Sequence, residues 1–377
     1  MIVLHVLVAL AVIVATTRLV GHLFRRIGQP AVIGELVGGI LLGPSLLGWV
    51  APDLSAWLFP AAVLPLLRLH AQAGVIFFMF LIGLELDGQM IRRSGRTTIF
   101  ISYASIILPF VLGYALAHVL YPRLAPPDVQ FTPFALFIGV SMSITAFPVL
   151  ARILRDRGLN RTPMGNVAMA CAAVDDVTAW GLLALVISIS EFGDWGSAIT
   201  HIPGVVVSHL NHYAIFAAFL AGALMPKQAR LGGALHDRLA GILSLLVLPV
   251  FFAFSGLRTH VGLISGAANW GLCAAILAVA CVGKFVGGAA AARFSGIGWR
   301  DSAALAVLMN TRGLVELVVL NIGFDLGVIS PTLFTMLVIM ALVTTFMTSP
   351  LLMSLLRRNP WLPQVLVTNG PAKARSA

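Results

Sequence analysis

The sequence predicts an all-α polytopic membrane protein of about eleven spanning helices, arranged as two inverted five-helix repeats with one broken helix in each. Three observations carry this: the composition, the alternation of basic loops, and two spans interrupted by polar residues near mid-membrane. Of 377 residues, 59% are hydrophobic and 10% charged, and the mean hydropathy is +0.99, whereas soluble domains hold about 25% charged residues. A helical span takes roughly 20 apolar residues and satisfies its own backbone, so a helix bundle follows. The short alternating segments of a membrane barrel are absent from the sequence.

Apolar runs bounded by charge, Pro and Gly place the spans at 2–24, 30–50, 64–86, 97–121, 131–154, 164–189, 204–225, 238–257, 268–292, 302–323 and 330–355. The first run lacks a basic start and a small-residue cleavage site, so it reads as a retained span. Loops after odd-numbered spans, with the tail, hold Arg25 and Arg26; Arg92, Arg93 and Arg96; Arg152, Arg155, Arg157 and Arg161; Lys227, Arg230 and Arg238; Arg293 and Arg300; and Arg357, Arg358, Lys373 and Arg375. Loops after even spans hold only Arg68, Arg123 and Arg258. Basic residues accumulate on the cytoplasmic side, which puts the N-terminus outside and the C-terminus in the cytoplasm. The formal charge of +10 therefore orients helices in the cell membrane and does not point to nucleic acid.

Residues 1–356 read as one membrane domain and 357–377 as a short cytoplasmic tail. The longest external connection, "SEFGDWGSAITHIPG", reads as a solvated loop; His201, His209 and His212 in and near it lack the Cys or acidic partners of a metal site. Cys171, Cys273 and Cys281 fall within apolar runs and imply no disulfide framework. Nothing in the chain calls for a cofactor.

Span five carries Ser141, Ser143, Thr145 and Pro148 where a lipid-facing helix would carry Leu and Val. Pro148 removes a backbone donor and clashes with the carbonyl four residues back, and the hydroxyls offer substitute hydrogen bonds. Span ten carries Asn310, Thr311, Arg312 and Gly313, with Glu316 four residues after Arg312 and able to pair with it as a structural ion pair. The two spans are five apart and run in opposite directions, so spans 2–6 and 7–11 form inverted halves, each broken in its fourth member. Ion sites of secondary transporters form where such half-helix ends meet. Ser143, Thr145, Asn310 and Thr311 are the candidate ligands at that crossing.

Asp175 and Asp176 lie within the apolar run "MACAAVDDVTAWGLLALVISI", where each carboxylate costs about 2.5–3.5 kcal/mol. Adjacent helical residues point about 100° apart, so one can meet a protein cation while the other faces a cavity. The available cation is Lys284, inside span nine and flanked by Gly283, Gly287 and Gly288, which admit a neighbouring helix closely. The three groups form a coupled protonation set. A site taking either a small cation or protons exchanges them by competition. An intramembrane aspartyl protease is disfavoured, because its two carboxylates must meet from separate helices.

In order along the chain, "GQPAVIGELVGGILLGPSLLG", "FFMFLIGLELD", "ITAFPVLARIL", "AVDDVTAW", "AAFLAGALMP", "LPVFFAFSGL", "VGKFVGG" and "NTRGLVELVVLNIG" resemble the sodium/hydrogen exchanger superfamily. The resemblance is to bacterial cation:proton antiporters related to potassium-efflux antiporters and plant cation/proton exchangers. It implies a homodimer in which a core, here spans 4–6 and 9–11, slides against a dimerisation domain. It implies that Asp176 is the principal ion and proton carrier, that Asp175 pairs with Lys284, and that the broken spans cross beside them. The implied activity is exchange of Na⁺ (or Li⁺) for protons, with K⁺ as the alternative cargo. Family members hold about two more spans between the paired aspartates and "AFLAG", so a transport-impaired structural or sensory relative is the third expectation.

Overall fold

The structure, a computed structural model, describes residues 2–85, 95–160, 162–192, 195–208, 210–225, 241 and 247–356. Regular structure among them is helical throughout. In chain order the helices are α1 (Ile2–Arg26), α2 (Ala31–Leu42), the short α3 (Leu47–Val50) and α4 (Pro52–Leu58), α5 (Leu64–Glu85), α6 (Gly95–Leu124), α7 (Phe131–Ser143), α8 (Phe147–Asp156) and α9 (Pro163–Phe192). They continue with α10 (Trp195–Ser208), α11 (Leu210–Leu224), α12 (Leu248–Leu257), α13 (Gly266–Phe294), α14 (Trp299–Met309), α15 (Leu314–Asp325) and α16 (Pro331–Leu356).

Among the described residues eight segments are long and apolar enough to cross a membrane, with Ala31–Val50 and Phe131–Asp156 each taken as one, or up to nine when α14 and α15, bent by 40° at their break, are one span. Of the eleven expected spans, those at 204–225 and 238–257 fall on the short helices α11 and α12, with parts of 238–257 outside the described residues. Arg92, Arg93, Arg161, Lys227, Arg230, Arg238, His209 and the tail 357–377 also lie outside the described residues. The exterior is apolar, with Leu69, Phe77, Val111 and Phe294 exposed, and Trp49, Trp57, Trp270 and Trp299 exposed near helix ends, the placement of an interfacial aromatic belt.

The expected solvated loop after span six is largely helix. α9 runs on to Phe192 and α10 begins at Trp195, packing against α9.

Packing sorts the helices into two groups. α6, α7–α8, α9, α13, α14–α15 and α16 pack on one another, and α1, α2, α5, α11 and α12 form the second group. Contact across the seam is sparse, chiefly α12 with α15 and α2 with α16. Within the groups the pairings exchange in order: α2 packs on α12 as α5 packs on α11, and α6 packs on α7 and α9 as α13 packs on α14 and α16.

Both predicted breaks are present, at residues 144–146 between α7 and α8 and at 310–313 between α14 and α15. Pro148 sits in the first turn of α8, where its missing N–H has no intrahelical partner to lose. Close approach is built in: a Cβ on Gly313 would lie 2.4 Å from Val149 Cγ2, and one on Gly283 would lie 2.6 Å from the Pro109 Cα of α6. Gly283 and Gly287 therefore admit α6, and Gly288 faces Ala306 of α14.

Candidate functional site

The two breaks lie side by side at the centre of the first helix group. The Ala146 N–H donates to the Thr311 carbonyl at 2.9 Å, and Thr145 Oγ1 donates to the Met309 carbonyl at 2.8 Å. Four half-helix ends meet here: the C-termini of α7 and α14 present carbonyls, and the N-termini of α8 and α15 N–H groups, that a continuous helix would pair within itself. Neither N-terminus has a side-chain cap. Buried together in low dielectric, such ends attract charge of opposite sign.

Each end faces a charged side chain. The Arg312 guanidinium donates to the carbonyls of Ser141 and Met142 in the last turn of α7. Glu316 stands in the first turn of α15 and accepts from Arg312 at 3.0 Å. Lys284 Nζ donates to Thr145 Oγ1 at 2.7 Å, and through that hydroxyl reaches the Met309 carbonyl at the end of α14. Asp176 faces the Phe147 N–H at the start of α8, without closing a hydrogen bond of ordinary geometry.

The adjacent aspartates are treated differently. Asp175 accepts from Ser102 Oγ of α6 at 2.5 Å and from Lys284 Nζ of α13 at 3.2 Å, so α6 and α13 close on it from two sides. Asp176 is fully buried, and among the described residues both its oxygens lack a hydrogen-bond partner. A buried carboxylate left unpaired costs several kcal/mol. It gains most by taking up a proton or coordinating a cation.

The other candidates are spread around the crossing. Thr145 is engaged on both sides, holding Lys284 and the Met309 carbonyl. Ser143 turns back to the Val140 carbonyl of its own helix at 2.8 Å. The Asn310 amide nitrogen lies 3.7 Å from Cys281 Sγ and 3.9 Å from Met347 Sδ. Asn310 Oδ1, Thr311 Oγ1 and Ser141 Oγ join the Asp176 oxygens as buried atoms without a partner. Two residues escaped sequence reasoning: Ser102, and Thr345 of α16, whose hydroxyl accepts from the Arg312 N–H at 2.9 Å and donates to the Arg312 carbonyl at 2.8 Å. A single hydroxyl in an apolar span bonds its own helix so often that neither carried a signal.

A cavity of about 370 Å³ opens along the seam between the helix groups. Val32, Phe78, Ile82, Leu248 and Phe252 line one wall, and Pro148, Val149 and Leu314 line the other, with Arg152, Arg155 and Asp156 further along α8. It thus reaches the first residues of α8 and α15, next to Phe147.

The family described as "Sodium/hydrogen exchanger, transmembrane" matches residues 8–208 and 204–356. The Na(+)/H(+) antiporter NhaS4 of Synechocystis sp. is 42% identical over 398 positions, covering 93% of this chain and 97% of that protein. Cation/H(+) antiporter 17 of Arabidopsis thaliana is 38% identical over 92% of this chain, and K(+)/H(+) antiporter 1 of Saccharomyces cerevisiae is 32% identical over 87%. This chain spans 47% and 44% of those two longer proteins. The fold is similar to that of the sodium proton antiporter MjNhaP1 from Methanocaldococcus jannaschii, with a TM-score of 0.63 at 14% identity, covering 97% of this chain and 99% of that one. The NhaS4 alignment is longer than this chain's 377 residues, so the relative carries residues without a counterpart here. The two family stretches meet at 204–208, between Asp176 and Ala218.

Proposed function

The chain belongs to the sodium/hydrogen exchanger family, whose members are transporters and not enzymes, and from that premise we propose that it is a secondary Na⁺ (or Li⁺)/H⁺ antiporter of the cytoplasmic membrane. The observation that carries this reading is Asp176, a buried carboxylate whose oxygens have no hydrogen-bond partner of ordinary geometry among the described residues, at the meeting point of half-helix ends. Protons and a small cation compete for it, and Asp175 stays with Lys284. Thr311 and Asn310, with orphaned oxygens of their own, are the candidate additional ligands.

In this reading residues 1–356 are the transport domain, followed by a short cytoplasmic tail. The first helix group is the core and the second is the scaffold on which a homodimer assembles. Eleven spans cross the membrane with the N-terminus outside, spans 2–6 and 7–11 are inverted repeats, and two spans customary between the halves are missing near 204–208. The exchanged pairings of α2 with α12 and α5 with α11 support the inversion. The core slides against the scaffold, carrying the occupied site across. The yeast relative named for K⁺ supports K⁺ as the second cargo reading.

The test is cation-induced pH change in proteoliposomes, comparing Na⁺, Li⁺ and K⁺, with Asp176→Asn alongside. Wild type should respond, and Asp176→Asn should lose at least about a hundredfold in rate, as expected for removal of an ionisable group on a transport path. Equal signals from the two proteins would refute the mechanism.

A further inference from the structure

Two of the three basic residues that interrupt the charge alternation converge on one carboxylate. Arg68 Nη2 lies 2.7 Å from Asp325 Oδ2, and Arg258 Nη2 lies 2.5 Å from Asp325 Oδ1. Arg258 Nη1 donates to Asn321 Oδ1 at 2.8 Å, and Asn321 Nδ2 donates to Ser255 Oγ at 2.9 Å. The Arg258 guanidinium also sits 4.4 Å from the centroid of the Phe324 ring. Arg68 belongs to α5 and Arg258 directly follows α12, both in the second helix group, whereas Asn321 and Asp325 close α15 in the first. This cluster therefore spans the seam at the end of its α12–α15 contact.

The pairing is not an ordinary surface one. The Arg258 and Asp325 side chains are 18% and 12% exposed, and one carboxylate taking two guanidinium groups is held by charge-assisted bonds from both sides. The seam is unequal at its two ends. Beside α8 it opens into the cavity of about 370 Å³; around Arg68, Gln72, Arg258, Asn321 and Asp325 only about 30 Å³ remains.

We infer that Asp325 is a positioning residue for exchange: with Arg68 and Arg258 it fastens the core to the scaffold on the side away from the open cavity, and its release is the step that opens that side. The inference rests on the antiporter reading above. Alternating access needs two states whose seams differ, and a bridge made in one and broken in the other sets their ratio. It also accounts for the position of two arginines on the side that basic residues avoid.

The test is accessibility, because it is readable whether or not a variant transports. Gln72→Cys places a thiol in the small cavity, and a membrane-impermeant maleimide is added on the Arg68 side, with the parent lacking that cysteine as blank. Asp325→Asn should raise the labelling rate about tenfold, the coupling expected of one interaction that biases a two-state equilibrium. Arg68→Gln and Arg258→Gln should each raise it too, and Asp325→Glu should restore the wild-type rate. Equal labelling with Asp325 and Asp325→Asn overturns the inference. The two readings fail separately: wild-type transport by Asp176→Asn removes the antiporter reading, while unchanged labelling with an inactive Asp176→Asn removes the bridge alone.

Discussion

The crossing holds two buried sets of charge, and they are finished to different degrees. Arg312 and Glu316 pair within one turn, and the guanidinium also takes two carbonyls of α7 while Thr345 holds the Arg312 backbone. Asp176 and Lys284 also stand at half-helix ends, but they do not pair with each other: Lys284 goes to Asp175 and Thr145, and Asp176 is left without a partner. The chain therefore ties one end of α7 and of α15 to each other internally and leaves Asp176, at the start of α8, to be neutralised from outside. An ion pair made within the chain, even one that leaves Arg312 Nε and Glu316 Oε1 without a partner among the described residues, suits a part that moves as a rigid unit. An open carboxylate suits a part whose occupant changes.

The sharpest way to break this contrast is at Arg312. Arg312→Ala strands Glu316 and two α7 carbonyls in a fully buried site, a loss of about 3–5 kcal/mol, comparable with the stability of a small domain. Thermal unfolding of the purified protein should fall steeply. Arg312→Lys should fall between, since an ammonium keeps the charge but lacks the planar fork that spans two carbonyls. A stable Arg312→Ala protein that lost only transport would put the arginine on the functional side of the comparison.

Asp176 should behave in the opposite sense. Asp176→Asn removes an unpartnered buried carboxylate, so the protein should be as stable as wild type or more stable by about 1 kcal/mol, the usual trade where a site holds strained chemistry. The measurement is the same unfolding curve, at a pH where the wild-type site is ionised and with no transported cation present. A variant less stable by more than that margin would mean that Asp176 holds the fold together.

How much of this could be read in advance depended on whether the cause was local. The breaks were legible because Pro148 and the Asn310–Gly313 run act on their own backbone, and the charged residues because hydrocarbon makes each one conspicuous. Which aspartate meets Lys284 is settled by the rotation of α6 and α13 around α9, which adjacent positions on one helix do not encode; the resemblance supplied that pairing as an expectation, and Ser102 was missed. The Arg68–Asp325–Arg258 cluster joins residues 257 and 67 positions apart, so the charge count registered two exceptions without linking them. Of the helix at Trp195–Ser208, residues 195–203 were read as an external loop and 204–208 as the start of a span.

The finest test of the comparison is Ser102, whose substitution separates the two aspartates without replacing either. Its hydroxyl holds Asp175 on the side of α6, at 2.5 Å. Ser102→Ala leaves Lys284 as the remaining side-chain partner among the described residues, a loss of about 1.5–3 kcal/mol for a hydrogen bond to a charged group, reduced by whatever Lys284 recovers. Asp175 is then freer to turn toward the site of its neighbour, and two carboxylates sharing one cation should tighten its binding at the expense of release. The expected result is a lower half-saturating cation concentration together with a lower maximal rate, each by a factor of about two to five, well below the loss at Asp176. A Ser102→Ala protein with unchanged kinetics but reduced stability would show that α6 holds Asp175 for the sake of the fold, and that the division of labour between the aspartates is made by Lys284 alone.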